Sequence, residues 1–483
     1  MFIPIFKLVA LLPLVILMTG IIVIMFSMIF RRNHFFVFCV TFLSLFSVLC
    51  ILFLIYFITP IFVTILLYIN FNSLLYIFLI VFSSMLMLIV FYFYIEKILM
   101  YQEEFYVLIL SSIIGAIILT EANHIITVLI GTELMSLPIF GLMTYFLESK
   151  RKIRVILKYM FLSSLMTSFA LLGIVLIYLK CGSLTLNCIK ITLLISSSYE
   201  NKILLIGLML LFISFFFKLS LFPLHFWIFD IYENISPVLL LYSTIIIKIA
   251  SFSALIKILS YCPYEKCKII YLIIETISFF SIIYGSIVVI TQNNIKKFFG
   301  YSSIVHMGYA LISVLTINNY YLSNHIAFIY LLNYVISSIG IFSLLSLLVL
   351  LNNNITFDIN HMPLYNMLLI DKPVLSFSFV VIIFSFLGIP FTFGFFAKYF
   401  TLIVILHKKL WLILCAVIIN SGCSIYYYLK IILIAYNKTN VALINGKKCY
   451  KIIDIIIILI SSVIILFGIF PQILMNFLNM KYL

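Results

Sequence analysis

The chain is poor in charge. Only 9% of its 483 residues are Asp, Glu, Lys or Arg, against roughly a quarter in an ordinary soluble chain. Hydrophobic residues make up 66%, more than a water-facing globule can hide, because its outside must be wetted. A soluble enzyme, a disordered chain and a nucleic-acid-binding domain are excluded together. Glycine is scarce, at 16 residues, which leaves little for a phosphate cradle, and neither GxGxxG nor Walker spacing occurs. No polar stretch is long enough to fold as a nucleotide-binding domain. The nine cysteines, at 39, 50, 181, 188, 262, 267, 415, 423 and 449, show no CxxC or Cys/His ligand spacing, so they read as packing residues and not as zinc, haem or iron–sulfur ligands. No Ser-His-Asp or paired-acid constellation appears. The aromatic residues are mostly Phe and read as packing or lipid-facing surface.

What the chain has in abundance is long apolar runs. A membrane span needs about 20 mostly apolar residues. Taking polar interruptions as loops gives about fourteen spans, near 8–30, 35–58, 74–95, 105–121, 125–147, 158–179, 203–223, 237–258, 271–290, 299–316, 325–350, 374–400, 410–436 and 453–472. In lipid every backbone N–H and C=O must be bonded internally, so these runs are helices. The run at 8–30 is too long for a signal-peptide core and reads as a retained first span. The net charge of +15 sits mainly in short loops, as membrane-flanking charge does. One set of alternating loops, 31–34, 96–104, 148–157, 291–298, 351–373 and 437–452, holds 14 Lys and Arg, more than the other side. That bias places the first set in the cytoplasm and both termini outside.

Two prolines mark expected helix breaks. Pro223 follows FKLSLF, and Pro390 lies in GIPFTFGFFAKYF with Gly388 and Gly394 on either side. Each proline removes a backbone donor and clashes with the carbonyl four residues back. Lys218 and Lys398 hold corresponding places beside the two breaks. Paired interruptions of this kind mark the binding centre of many inverted-repeat transporters. The expected fold is an all-α polytopic membrane protein with two inverted five-helix repeats and two discontinuous helices. Its expected parts are a three-helix segment at 1–104, repeats at 105–258 and 271–436, and a C-terminal helix at 437–483.

Few ionisable residues lie well inside apolar runs: Glu133, Lys158, Lys218, Lys248, Lys398 and Lys430, with Glu275 and His306 nearer span ends. Each charge at mid-bilayer opposes insertion by about 2.5–3.5 kcal/mol on insertion scales, which makes an intramembrane ionisable residue a functional candidate by default. Glu133 can brace two helices or modulate a buried lysine. Burial favours the neutral amine and a nearby carboxylate favours the ammonium, so a moving carboxylate would switch a lysine's proton on and off. Lys218 precedes the first break, Lys248 lies too deep in its span to snorkel easily, and Lys398 follows the second break. Lys158 and Lys430 sit near span ends, where a lysine can snorkel to the interface. His225, two residues after Pro223, and His306 could extend a relay, since histidine titrates near neutrality.

The runs that carry these residues resemble one family. GTELMSLPIFGLMTYFLESKRKIRVILKYMFLSS is similar to the fifth and sixth helices of the antiporter-like membrane subunits of respiratory complex I, and FKLSLFPLHFWIFDIYENISPV to their seventh helix and following loop. NIKKFFGYSSIVHMGY and FSFLGIPFTFGFFAKYF resemble their tenth and twelfth helices, and ALLPL and RRNHF extend the likeness over essentially the whole chain. Of the three homologous subunit types, it resembles the one with a lysine at the position of Lys398 and without a C-terminal lateral helix. The resemblance implies a proton-relay role for Glu133, Lys218, Lys248 and Lys398, a less settled one for Lys158, and possible relay roles for His225 and His306. It implies that NADH, FMN, iron–sulfur clusters and quinone belong to other subunits, and that the chain itself binds no cofactor or metal. The implied partners are other membrane-arm subunits, two of them homologous, and the lipid bilayer, with no nucleic acid. The implied location is a bacterial inner membrane, or a mitochondrial one if the chain is organellar. One departure stands out: DIYENISPV replaces the family's small-residue Gly-Ala-Pro turn. A cation/proton antiporter subunit, a passive spacer of the membrane arm, and a subunit of a membrane-bound hydrogenase remain as rival readings.

Overall fold

A computed structural model describes residues 2–30, 32–98, 102–145, 150–195, 202–315, 320–351, 372–436 and 451–478. Cys449 and most of the loops 351–373 and 437–452 lie outside the described residues. Among the described residues eleven helices are long and apolar enough to cross a membrane, and three shorter apolar helices accompany them. A two-residue antiparallel hairpin pairs Ile61 with Ile69 and Phe62 with Tyr68. The expected all-α membrane class is the class observed.

Residues Met1–Leu219 and Tyr242–Tyr271 form one compact unit, and Ser220–Leu241 and Leu272–Leu483 form the other. In the first unit the chain runs through α1 (Phe2–Phe30), α2 (His34–Tyr56), β1 (Ile61–Phe62), β2 (Tyr68–Ile69), α3 (Phe71–Ile98), α4 (Glu103–Glu121), α5 (Ile125–Thr144), α6 (Lys150–Cys181), α7 (Leu186–Ile195) and α8 (Lys202–Lys218), and most of α10 (Pro237–Ser260) belongs to it. The starts of α2 and α5 follow from their caps: the side chains of Asn33 and His124 accept from the N–H groups of Phe36 and Ile126, which would otherwise be orphaned. Helices α4 and α5 touch backbone to backbone at Gly115, where an added Cβ would stand 2.5 Å from the Met135 nitrogen; only a residue without a side chain permits that approach in a packed bundle. Helices α1 and α6 present residues such as Leu8 and Phe161, each 65% exposed, the apolar outer surface that lipid tails wet. By contrast α10 is buried along its length. The basic run that the sequence assigns to a loop before residue 158 is already helical, so Lys158 stands in the third turn of α6. A further short helix, α7, fills the next interhelical stretch.

The second unit holds α9 (Trp227–Asn234), most of α11 (Lys268–Thr291), α12 (Ile295–Val314), α13 (Tyr320–Leu351), α14 (Pro373–Leu387), α15 (Phe393–His407), α16 (Trp411–Tyr436), α17 (Lys451–Ile469) and α18 (Gln472–Phe477). The run expected as one span at 374–400 is two half-helices, α14 and α15, and the run at 203–223 is helical only to Lys218. Both discontinuities fall at the expected prolines. Proline 390 cannot supply the donor that would continue α14. Asn294 caps α12 through the N–H groups of Lys296 and Lys297.

Candidate functional site: buried amines at interrupted helices

In the first unit, α8 ends at Lys218 and the chain then turns through Ser220, whose φ of 62° is left-handed and strained for a residue with a side chain. Lys218 is only 4% exposed. Its Nζ donates to the carbonyl of Thr132 on α5 at 3.0 Å. The next residue is Glu133, close enough for its carboxylate to act on the amine electrostatically. Glu133 is half-buried, and its Oε1 has no hydrogen-bond partner among the described residues. The pair expected from sequence is therefore brought together, with the amine bonded to a backbone carbonyl beside the carboxylate rather than to the carboxylate itself. With one oxygen unbonded, the carboxylate is held less tightly than one saturated by hydrogen bonds, as a modulator of a neighbouring amine requires. Lys248 lies on α10 in the same unit and is 1% exposed.

In the second unit the break between α14 and α15 is built from specific backbone chemistry. Gly388 closes α14 at φ 77°, and its N–H and that of Ile389 both return to the Phe384 carbonyl, the usual device for ending a helix. Gly394 opens α15 so close to α14 that a Cβ there would lie 1.7 Å from the Ser385 oxygen. Lys398, one turn into α15, reaches back and donates to the carbonyl of Leu387, the last residue of α14, at 2.6 Å. A cation at a helix C-terminus meets the negative end of the helix dipole and an otherwise unpaired carbonyl.

The Lys398 amine also stands 5.7 Å from the centre of the Tyr309 ring. Tyr309 accepts from the Asn420 amide at 2.9 Å and stacks on Tyr330, with centroids 5.9 Å apart. The Tyr330 hydroxyl meets His306 Nδ1 at 2.9 Å, and His306 Nε2 meets the Tyr428 hydroxyl at 3.2 Å. The imidazole thus bridges two phenols, donating to one and accepting from the other when neutral. Lys398 and His306 share one polar cluster drawn from α12, α13, α15 and α16.

The remaining candidates are placed differently. His225 is buried against Phe222 and Tyr284, with ring centroids 5.6 and 4.5 Å away. It belongs to the second unit, whereas Lys218 belongs to the first. Lys158 is exposed on α6, and Lys430 and Glu275 are half-buried. The departure at DIYENISPV has a local structural basis. Lys297 pairs with the Glu233 carboxylate at 2.9 Å, while Lys296 donates to the carbonyls of Glu233 and Ile235 at 3.3 and 3.2 Å. Two lysines at the start of α12 therefore hold the turn that small residues would form by backbone freedom alone.

Glu121 and Lys257 are among the buried charges that escape a reading of the sequence by span depth. Glu121 ends α4 and is 2% exposed; Lys257 lies in the last turn of α10 and is 5% exposed. Lys257 Nζ donates to the Tyr68 carbonyl at 3.0 Å and to the Thr120 carbonyl at 3.2 Å, and Glu121 acts on it electrostatically. On sequence both look like flanking charges. The signal that exposes them is a repeated Thr-Glu dipeptide, at 120–121 and again at 132–133.

Fold and site together define a class: helical membrane proteins that hold protonatable side chains at interrupted spans. Residues 122–424 match the model of one family, NADH:quinone oxidoreductase/Mrp antiporter, TM, and the chain belongs to that family. It is 37% identical over 480 residues to the NADH-quinone oxidoreductase subunit N of Buchnera aphidicola subsp. Schizaphis graminum, a match covering 98% of each chain. It is 36% identical to the same-named protein of Buchnera aphidicola subsp. Acyrthosiphon pisum, covering 89% of this chain and 88% of that one. The fold resembles a chain of respiratory complex I from Thermus thermophilus, with TM-score 0.81 and 24% identity over 96% of this chain and 98% of that chain. It also resembles a chain of the Mrp complex from Dietzia sp. DQ12-45-1b, with TM-score 0.80 and 14% identity over 98% and 96% of the two chains.

Proposed function

We propose that this chain is a proton-translocating membrane subunit of a bacterial NADH–quinone oxidoreductase, held in the inner membrane beside other membrane-arm subunits. Near-full-length likeness to two proteins named NADH-quinone oxidoreductase subunit N supports the assignment to that complex. The observation that carries the proton role is the placement of Lys218 and Lys398, each buried or half-buried at a helix interruption and each donating to a main-chain carbonyl. Desolvated lysines exchange protons near neutral pH far more readily than exposed ones. Glu133, Lys218 and Lys248 serve the first unit, and Lys398 with His306 serves the second. The five-helix repeats at 105–258 and 271–436 are the frame of this reading. Lys158, exposed on α6, and His225 are assigned supporting roles only.

The chain takes no part in electron transfer: NADH, FMN, iron–sulfur clusters and quinone are assigned to other subunits. The subunit acts when a distant redox step changes the charge balance around Glu133, and the Lys218 amine responds by gaining or losing a proton.

The test is Lys218→Ala and Glu133→Ala in the assembled complex, with quinone reduction and pumping measured in membrane vesicles. Both rates fall while the complex still assembles. Normal pumping by both variants rejects the assignment. A second reading, exchange of a cation for protons, draws on the fold shared with the Mrp chain; exchange without NADH in vesicles holding only this chain would favour it.

A further inference from the structure

Burial, charge and backbone contact converge a second time in the first unit, away from Glu133. Lys218 donates to Thr132 beside Glu133, and Lys257 donates to Thr120 beside Glu121. The two sites follow one plan: an amine from a later helix, the carbonyl of a threonine, and the glutamate that follows it. The Glu121 pair lies at one end of the unit. Glu121 is the last residue of α4, and Lys257 also holds the Tyr68 carbonyl of the hairpin strand β2. Leu67, next to Tyr68, bridges Ala122, next to Glu121. The hairpin thus packs against the pair at this end of the unit.

A purely structural tie does not need the glutamate. Lys257 would satisfy the Thr120 and Tyr68 carbonyls just as well without it. Glu121 is placed at an unfavourable position, a buried carboxylate at the C-terminal, negative end of a helix dipole. Buried ionisable groups held against their electrostatic preference are what functional sites accumulate. Lys257 also shares α10 with Lys248, nine residues and about 13 Å apart along the axis. Between them α10 presents two buried hydroxyls, Ser251 and Ser253. Ser251 bonds back to the carbonyls of Ile247 and Lys248 at 2.6 and 3.3 Å, and Ser260 bonds to the carbonyl of Lys257 at 2.6 Å.

We infer that Glu121 and Lys257 form a second proton-exchange site, the station through which the Lys248 region of α10 communicates with water at the hairpin end of the first unit. This rests on the proton-translocating role proposed above. In the exchange Lys257 gives a proton to Glu121 or to water and becomes a neutral amine, still donating N–H to Thr120 and Tyr68. Glu121 accepts or releases the same proton, and no bond other than N–H and O–H changes.

The decisive variant is Lys257→Arg. Arginine keeps the cation and has donors enough for both carbonyls, yet it does not release its proton. A merely structural tie is therefore preserved and an exchange site is lost. The full complex is assayed in membrane vesicles for NADH-driven pumping, with NADH–ferricyanide reductase as the measure of assembled complex, beside Glu121→Gln and Lys218→Ala. The expected result is unchanged complex content with pumping lowered on the order of tenfold or more in Lys257→Arg, in line with the loss of one positioned proton-transfer group, and a clear loss in Glu121→Gln. Full pumping by Lys257→Arg, with Lys218→Ala inactive, overturns this inference and leaves the proposed function standing. Full pumping by all three variants overturns both. If Lys257→Arg does not assemble, Glu121→Gln decides alone: lost pumping supports the site, and normal pumping sinks it.

Discussion

The pairing of Lys218 with Glu133 can be separated into a stability part and a transport part. Lys218→Met keeps the length of the side chain and removes its charge. The hydrogen bond from the ammonium to Thr132, worth about 1.5–3 kcal/mol for a charged donor, is lost. Glu133, whose Oε1 already lacks a partner, is left without its compensating cation. Breaking a buried pair from one side costs about 3–5 kcal/mol; Glu133 is half-buried, so the low end applies. About 3 kcal/mol is roughly a hundredfold in the ratio of folded to unfolded protein. The double variant Glu133→Gln/Lys218→Met removes both charges, and replacing a buried pair with neutral side chains of similar volume is close to neutral. Complex content after mild heating in detergent therefore falls in the single variant and recovers in part in the double, which still lacks the hydrogen bond to Thr132. Pumping stays lost in both, because neither holds a proton at this position. A double variant that pumps at the parental rate refutes the relay, and a single variant as stable as the parent refutes the electrostatic coupling.

Three further outcomes follow from the geometry. Lys398→Met leaves the Leu387 carbonyl without its 2.6 Å donor and abolishes pumping, whereas Lys398→Arg restores assembly but not pumping; vesicle pumping normalised to complex content distinguishes them, and an active arginine variant would count against proton exchange at this amine. Gly394→Ala drives a Cβ toward the Ser385 oxygen, forces the half-helices apart and lowers the yield of assembled complex, with a cost of several kcal/mol expected for overpacking of this severity; a native gel showing parental yield would contradict it. Cys262 and Cys267 are buried in the turn after α10, while Cys50 and Cys415 are exposed. A membrane-permeant maleimide therefore labels Cys262 and Cys267 only once the protein is unfolded, read by peptide mass spectrometry, and equal labelling before and after unfolding would show that the turn is open.

The architecture is legible because it follows from bulk chemistry. A chain this apolar has to be membrane-bound helices, and helices stop near prolines 223 and 390, whereas α1 and α5 continue through Pro13 and Pro138. Glu133, Lys218, Lys248 and Lys398 stand out for the same reason, as charges in the middle of apolar runs. Glu121 and Lys257 do not, since a residue at a span end can be solvated or buried, and only the hairpin folded over them decides the matter. Partition into units is equally hidden: α10 contributes Lys248 to the first unit although the segment 220–241 just before it belongs to the second. The extent of α6 is misread because KRKIR looks like a loop, yet Lys and Arg are good helix formers and continue the helix past the apolar run.

The amines of this protein share a feature that bears on why lysine is used. Lys218, Lys257, Lys296 and Lys398 all direct Nζ to main-chain carbonyls. A lysine locked in a close ion pair is held in its charged form, because losing the proton leaves a buried carboxylate uncompensated. A carbonyl accepts an N–H from an ammonium or from a neutral amine, so the contact survives either state. The carbonyls of Thr120, Glu233, Ile235 and Leu387 lie in the last turn of a helix or just beyond it, where backbone acceptors lack intrahelical partners. Interrupting a helix thus creates the acceptor, and the acceptor holds an amine without fixing its charge. Lys297 on Glu233 and Lys372 on Asp454, bound to carboxylates at 2.9 and 2.6 Å, follow the opposite rule. Under the proposed function, Lys297 and Lys372 brace the fold, and the carbonyl-bound lysines are the candidates for proton exchange.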